Sequence, residues 1–235
     1  MEIEAKLSPE AGQLLADLRK NYQVELEPLN IREHQLHLLQ VSDLSSLLGD
    51  RDPFEDVTGF PFWVKVWEAA LVLADFMAAQ PPEPDGRVLE LGAGLGLPGL
   101  AAAAAGHRVT LSDYEPHILD FQRVSAAASG VDQQVEHLLL DWLHPPELPQ
   151  FTTIIGAEVL FREEFFTPLL ELMEKFLAPG GSIYLAHDIR RQSMSPFLSR
   201  AEKEKRFNIA ISRRRMQSND SEHTIILSRL QKNQV

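Results

Sequence analysis

Apolar residues recur along this chain with two spacings, and the two alternate. Residues 9–21 space them as a helix does, with Ser8 suited to N-cap, Pro9 at the first helical position and Glu10 in the first turn. "YQVELEPLNI" (22–31) and "HQLHLLQV" (34–41) instead alternate apolar with polar, the period of half-buried strands. Turn formers crowd residues 48–62, which read as a loop. Residues 63–80 return to helical spacing through Trp67, Leu71, Ala74 and Met77, and "PPEPDG" (81–86) links them to the next strand.

From Arg87 the pattern is strict. "RVLEL" (87–91), "RVTLSDY" (108–114), "QVEHLLLDW" (134–142), "FTTIIGAEVLF" (151–161) and "SIYLAHD" (182–188) read as strands. Between them, 96–106, 115–130 and 165–177 read as helices, closed by Gly106, Gly130 and the "APGG" of 178–181. A helix over 195–207 comes next, then strands over 207–217 and 222–230 joined by the turn "SND". The alternation predicts an α/β fold with a mostly parallel sheet covered on both faces, its last strand antiparallel to the others. Residues 1–58 form a small β and helical extension, and 59–235 the main domain.

Composition narrows the partners. With 44% apolar and 24% charged residues the chain has the balance of a globular protein, and it contains no cysteine for disulfides or a thiolate zinc site. No apolar run reaches the roughly 20 residues of a membrane helix, and the acidic, amphipathic start lacks the order of a signal peptide, so a cytoplasmic protein is expected. The formal charge of −12 argues against nucleic acid, which calls for a basic footprint. It serves solubility, or it recruits a basic partner such as a lysine-bearing protein. Basic residues gather late, at Arg190-Arg191, at 203–206 and at 213–215.

The chemistry centres on "VLELGAGLGLPGL" (88–100). Gly94, Gly96 and Gly99 spell G-x-G-x-x-G, while Glu90, Gly92, Gly94 and Gly96 spell acid-x-G-x-G-x-G. Glycines in the first strand-to-helix turn let backbone approach a ligand closely. Acids recur at successive strand ends: Glu90, Asp113, Asp141 and Glu158. They would crowd a pyrophosphate, whereas S-adenosylmethionine offers a sulfonium, an ammonium, a ribose diol and an adenine amine, each able to use a carboxylate. An NAD-dependent oxidoreductase reading Gly94, Gly96 and Gly99 stays open as the competing reading. His187 could be a base or a core histidine, Asp188 and Arg190 lie where a substrate could dock, and no metal-ligand spacing stands out.

With "VTLSDYEPHIL", "LLLDW", "GAEVLF" and "LAPGGSIYLA" added, the sequence resembles the class I, seven-strand S-adenosylmethionine-dependent methyltransferases, a Rossmann-like doubly wound fold with an inserted antiparallel strand. The Trp67 segment, "LDW" and "EVLF" resemble its protein-lysine branch, the methyltransferase 16 family, whose D-x-x-Y signature stands here as Glu158 and Phe161. The resemblance covers roughly residues 60 to 230. It implies that Gly92, Gly94 and Gly96 line the methionine moiety, that Glu90 accepts from its ammonium, and that Asp113 accepts from the ribose hydroxyls. By the same likeness Tyr114, Asp141 and Trp142 border the adenine, Trp67 borders the cofactor, and Glu158 with Phe161 holds the acceptor nitrogen. The expected enzyme is a protein-lysine methyltransferase acting as a monomer on an accessible lysine, with a small-molecule N-methyltransferase of the same fold as the alternative.

Overall fold

A computed structural model describes residues 3–43, 61–204, 207–218 and 221–232. Most of the predicted loop at 48–62, and two residues of the predicted turn at 218–220, lie outside the described residues. The elements in chain order begin with helix α1 (Pro9–Leu18) and the antiparallel hairpin β1 (Val24–Ile31) and β2 (His34–Val41). Helix α2 (Glu68–Ala78), β3 (Arg87–Glu90), α3 (Leu97–Ala104), β4 (Arg108–Asp113), α4 (Pro116–Ala128) and β5 (Val135–Leu139) come after it. The chain continues through β6 (Phe151–Ala157), α5 (Phe166–Phe176), β7 (Leu177–Asp188), α6 (Met194–Lys203), β8 (Phe207–Ser218) and β9 (Ser221–Lys232).

One sheet of seven strands runs in the order β5-β4-β3-β6-β7-β9-β8. The pairs from β5 to β7 are parallel, and β9 inserts antiparallel between β7 and β8. Order reverses beside β3, which is where an open α/β sheet leaves a crevice for a ligand. Pleating sends successive side chains to opposite faces, so Val88 joins one buried cluster and Leu89 the other. The Val88 cluster includes residues of α2, α3 and α4, and the Leu89 cluster residues of α5 and α6. The near-continuous apolar runs of the sequence are thus strands covered on both sides.

Several boundaries differ from the sequence reading, among them the end of the strand read over 151–161, which stops at Ala157. Ser8 does cap α1, accepting from the Ala11 amide at 3.2 Å. The second helix, however, begins at Glu68, with Trp67 at its N-cap in extended conformation, because a short 3-10 turn (Phe62–Val64) takes up part of the stretch before it. Strand β7 starts at Leu177 rather than 182, and its register against β6 shifts between Phe151 and Thr153, so the "APGG" glycines fall in an irregular strand entry rather than a free turn. Predicted helix 195–207 ends at Lys203.

The N-terminal hairpin lies on α4. Ser129 accepts from the His37 amide and Ser125 from the Leu39 amide, each at 2.9 Å. These two serines satisfy N–H groups on β2 that a two-stranded sheet cannot pair internally. Next to them Tyr22 packs edge-on to Trp63 (5.8 Å between ring centroids) and to Phe121 (5.4 Å), and Trp63 sits 5.0 Å from His117.

Candidate active site

Strand β3 ends on Glu90, and the loop behind it reverses three times. Gly92, Gly94 and Gly96 hold φ of +55, +53 and +78°, the left-handed region that a Cβ penalises. Gly99 is required for another reason, since a Cβ there would stand 2.3 Å from Leu111 Cδ2 and 2.6 Å from Glu90 Oε2. The loop is pinned from both sides: the Gly94 amide donates to Asp113 Oδ2 (2.8 Å), and Gln122 Nε2 donates to the Gly94 carbonyl (2.8 Å).

A cavity of about 720 Å³ opens over this loop. Every residue that the family likeness assigns to the cofactor or the acceptor borders it: Trp67, Glu90, Gly92, Gly94, Gly96, Asp113, Tyr114, Asp141, Trp142, Glu158 and Phe161. The four strand-end acids therefore do share one site, but their states differ. Glu90 is only 1% exposed and accepts from the Gly99 amide at 2.7 Å. Burial pushes its carboxyl up to about 8, against the pull of that N–H. Asp113 is also raised by burial, with the Gly94, Tyr114 and Glu115 amides acting in the opposite sense. Asp141 lies at the rim, held below its ordinary range by His144 and by the Leu143 amide.

The Glu90 shift has a measurable consequence. A carboxyl whose folded value exceeds its unfolded 4.5 adds stability in full below pH 4.5, and that contribution fades as the pH rises toward 8. Glu90→Gln is neutral at every pH and can still accept from Gly99. Melts of the ligand-free protein should therefore show the variant gaining on the parent between pH 5 and pH 8. A constant gap would mean that the carboxyl ionises at its ordinary value.

Glu158 stands just beyond β6, one of two described non-glycine residues with positive φ (+57°). Its amide donates to the Ala186 carbonyl, which fixes the backbone against β7. The carboxylate is engaged at both oxygens: Oε1 accepts from the Asp188 amide (2.7 Å) and Oε2 from Arg191 Nε (2.6 Å). Burial raises its carboxyl, and the Arg191 charge opposes the rise. Phe161 belongs to a run of rings along the same wall: Phe62 lies 6.3 Å from it, Trp142 6.3 Å and Phe165 5.7 Å. The Trp67 indole N–H donates to the Phe62 carbonyl (2.8 Å), so its ring is locked beside that run.

His187 resolves as a core residue. It is 1% exposed, its Nε2 accepts from the Leu160 amide at 3.3 Å, and burial with the nearby Arg191 charge lowers it to about 3. At neutral pH it is uncharged and its lone pair is taken. Asp188 is paired with Arg190 through two side-chain contacts of 2.8 Å, beside rather than within the main cavity. Sequence reasoning missed Arg191, Phe62, Phe165 and the role of Gly99. Only Gly99 carried a signal, as the last glycine of G-x-G-x-x-G. Among the described residues no group of His, Asp or Glu is placed to hold a metal ion.

A family model described as lysine methyltransferase matches residues 55–204. The protein N-lysine methyltransferase METTL21A of Danio rerio is 34% identical over 61% of this chain and 68% of its own length. The EEF1A lysine methyltransferase 3 of Mus musculus is 29% identical over 64% of this chain and 66% of its own. The histone-arginine methyltransferase METTL23 of Mus musculus is 39% identical over 45% of this chain and 44% of its own. The chain thus spans about two thirds of the first two relatives and under half of the third. Among solved structures, a precorrin-6y C5,15-methyltransferase from Geobacter metallireducens shares the fold, with a TM-score of 0.57, 13% identity, and coverage of 70% of this chain and 87% of that one.

Proposed function

This chain belongs to the lysine methyltransferase family, a family of S-adenosylmethionine-dependent enzymes, and we propose that it transfers a methyl group to a lysine side chain of a protein. The observation that carries this reading is one cavity walled together by the left-handed glycine loop, the four strand-end acids and the aromatic run of Phe62, Trp142, Phe161 and Phe165. Family membership also decides between the two readings of the glycine loop, against the NAD-dependent one.

The residues present fit S-adenosylmethionine. The left-handed turns at Gly92, Gly94 and Gly96 present backbone without a Cβ to the cavity they border. Gly92, Gly94 and Gly96 would line the methionine moiety with Glu90 behind them, and Asp113 would accept from the ribose hydroxyls through lone pairs its amide partners leave free. Tyr114, 65% exposed, could cover the adenine, with Asp141 and Trp142 along its edge and Trp67 on the facing wall. When bound, the cofactor supplies an electrophilic methyl on a positively charged sulfur.

The chain's own contribution is to present the acceptor as a neutral amine. A free lysine titrates near ~10.4, so the acceptor enters as the ammonium and must lose its proton to solvent before the nitrogen is held in line for transfer. Phe62, Phe161 and Phe165 offer apolar rings with no hydroxyl, and Glu158 offers its remaining lone pairs to an amine N–H. Glu158 is thus a positioning acceptor rather than a free base. Residues 59–235 carry this activity and 1–58 are accessory to it. The protein acts as a monomer in the cytoplasm; no helix among the described residues is long and apolar enough to cross a membrane.

Incubation of the protein and a host lysate with radiolabelled S-adenosylmethionine should label one or a few protein bands, with the label recovered as methyl-lysine after hydrolysis. Label confined to small molecules would move the acceptor to the small-amine class, and label recovered as methyl-arginine would replace the lysine assignment.

A further inference from the structure

Arg191 and Glu158 form the most enclosed ion pair at the site, with side chains 12% and 10% exposed and 2.6 Å between Nε and Oε2. The Arg191 guanidinium also lies over the Phe62 ring, 5.8 Å from its centroid. A carboxylate on one side and an aromatic face on the other are the two groups that recognise an organic cation. This recognition site is thus already filled, by the protein itself. Arg191 lines the main cavity and also a smaller one of about 190 Å³, so its head stands between the two spaces.

We propose that Arg191 is a specificity-determining residue: its guanidinium is a resident stand-in for the acceptor's cation, and only an acceptor that brings binding energy from elsewhere can displace it from Glu158. The inference rests on the lysine reading above and deepens it, because it names what excludes free amines. A lysine held by a protein surface can spend remote contacts on opening the pair. A free amine of the same chemistry has none to spend. The head has somewhere to go, since the smaller cavity beside Glu158 is bordered by Glu68 and Asp188.

Other charges face the pair. Lys65 lies just ahead of α2 and Glu68 on its first turn, Asp188 and Arg190 come from the end of β7 and the loop after it, His223 from β9, and Arg162 from the loop after β6. Asp188 is already held by Arg190 and approached by His223 (3.5 Å), so it does not compete strongly for Arg191.

The test is binding rather than turnover. The probe is N-acetyl-lysine methylamide, with the norleucine analogue as its uncharged control, titrated against the indole fluorescence of the cavity tryptophans. Burial already raises the Glu158 carboxyl, and losing the guanidinium raises it further, so titrations run at pH 8.5, where lysine is still a cation. Arg191→Gln should bind the lysine probe at least tenfold tighter than the parent does, with no change for norleucine. Glu158→Gln/Arg191→Gln should lose the gain, and Arg191→Lys should fall between, since it keeps the charge without the planar fork. Equal affinity in parent and Arg191→Gln, with both folded by thermal melt, overturns the proposal. If that happens while a protein band is still labelled, the lysine reading stands and only the stand-in role fails; if no lysine is labelled, the parent reading fails first.

Discussion

Replacing Asp113 with alanine is expected to weaken S-adenosylhomocysteine binding by roughly a hundredfold, read by isothermal titration calorimetry. The side chain is raised by burial, so it sits in an environment where a hydrogen bond to a charged group is worth about 1.5–3 kcal/mol. Two such bonds to a ribose diol, partly offset by water entering the gap, give on the order of 2–3 kcal/mol, or about a hundredfold. Alanine also removes the acceptor for the Gly94 amide, whose loop carries φ of +53° and depends on outside partners to hold it. Asp113→Asn separates the two effects. One amide oxygen can still receive Gly94, but the NH₂ cannot accept from a hydroxyl, so affinity should fall about tenfold while the loop stays in place. Unchanged affinity in the alanine variant would remove Asp113 from the cofactor site.

The second large effect is expected at Glu158. Glu158→Gln keeps nearly the same volume and an oxygen that can accept from the Asp188 amide, but it cannot form an ion pair with Arg191. Single-turnover rates with the labelled protein should fall by about a hundredfold, in line with losing an interaction worth roughly 2–3 kcal/mol at the reacting nitrogen. Cofactor affinity should stay within about twofold, because the glycine loop and Asp113 are untouched. A variant that loses cofactor binding and transfer together would place Glu158 on the donor side of the cavity instead.

Much of this arrangement was legible in the sequence. Periodicity located the strands because central strands buried on both faces favour apolar runs, as in β6 and the second half of β7, while the edge strand β5 carries Glu136 and an exposed Leu139. The glycine loop and its four acids were readable because strand ends at one edge of a parallel sheet must meet in space. What stayed hidden depends on contacts between distant segments. Arg191 is thirty-three positions from Glu158, and nothing in either neighbourhood announces the pair. Phe62 lay in a stretch read only as turn formers, and Phe165 in a helical stretch, yet both border the cavity beside Phe161. Trp67 suits a helical stripe equally well as a residue just ahead of the helix, so spacing alone could not place it at the N-cap. The upward shift of the Glu90 carboxyl results from its burial, which composition does not report.

The ring contact between Trp63 and Tyr22, in the link from α1 to the hairpin, reaches further than the N-terminal extension. Trp63 backs the turn at Gly94 and borders the cavity, while Tyr22 closes its outer side. A truncated chain starting at residue 61 would expose one flank of that indole to water and let it swing toward the space the hairpin vacated. The wall beside the glycine loop is in this sense partly built by the N-terminal extension, and on the reading proposed above removing that extension would loosen the grip on the donor.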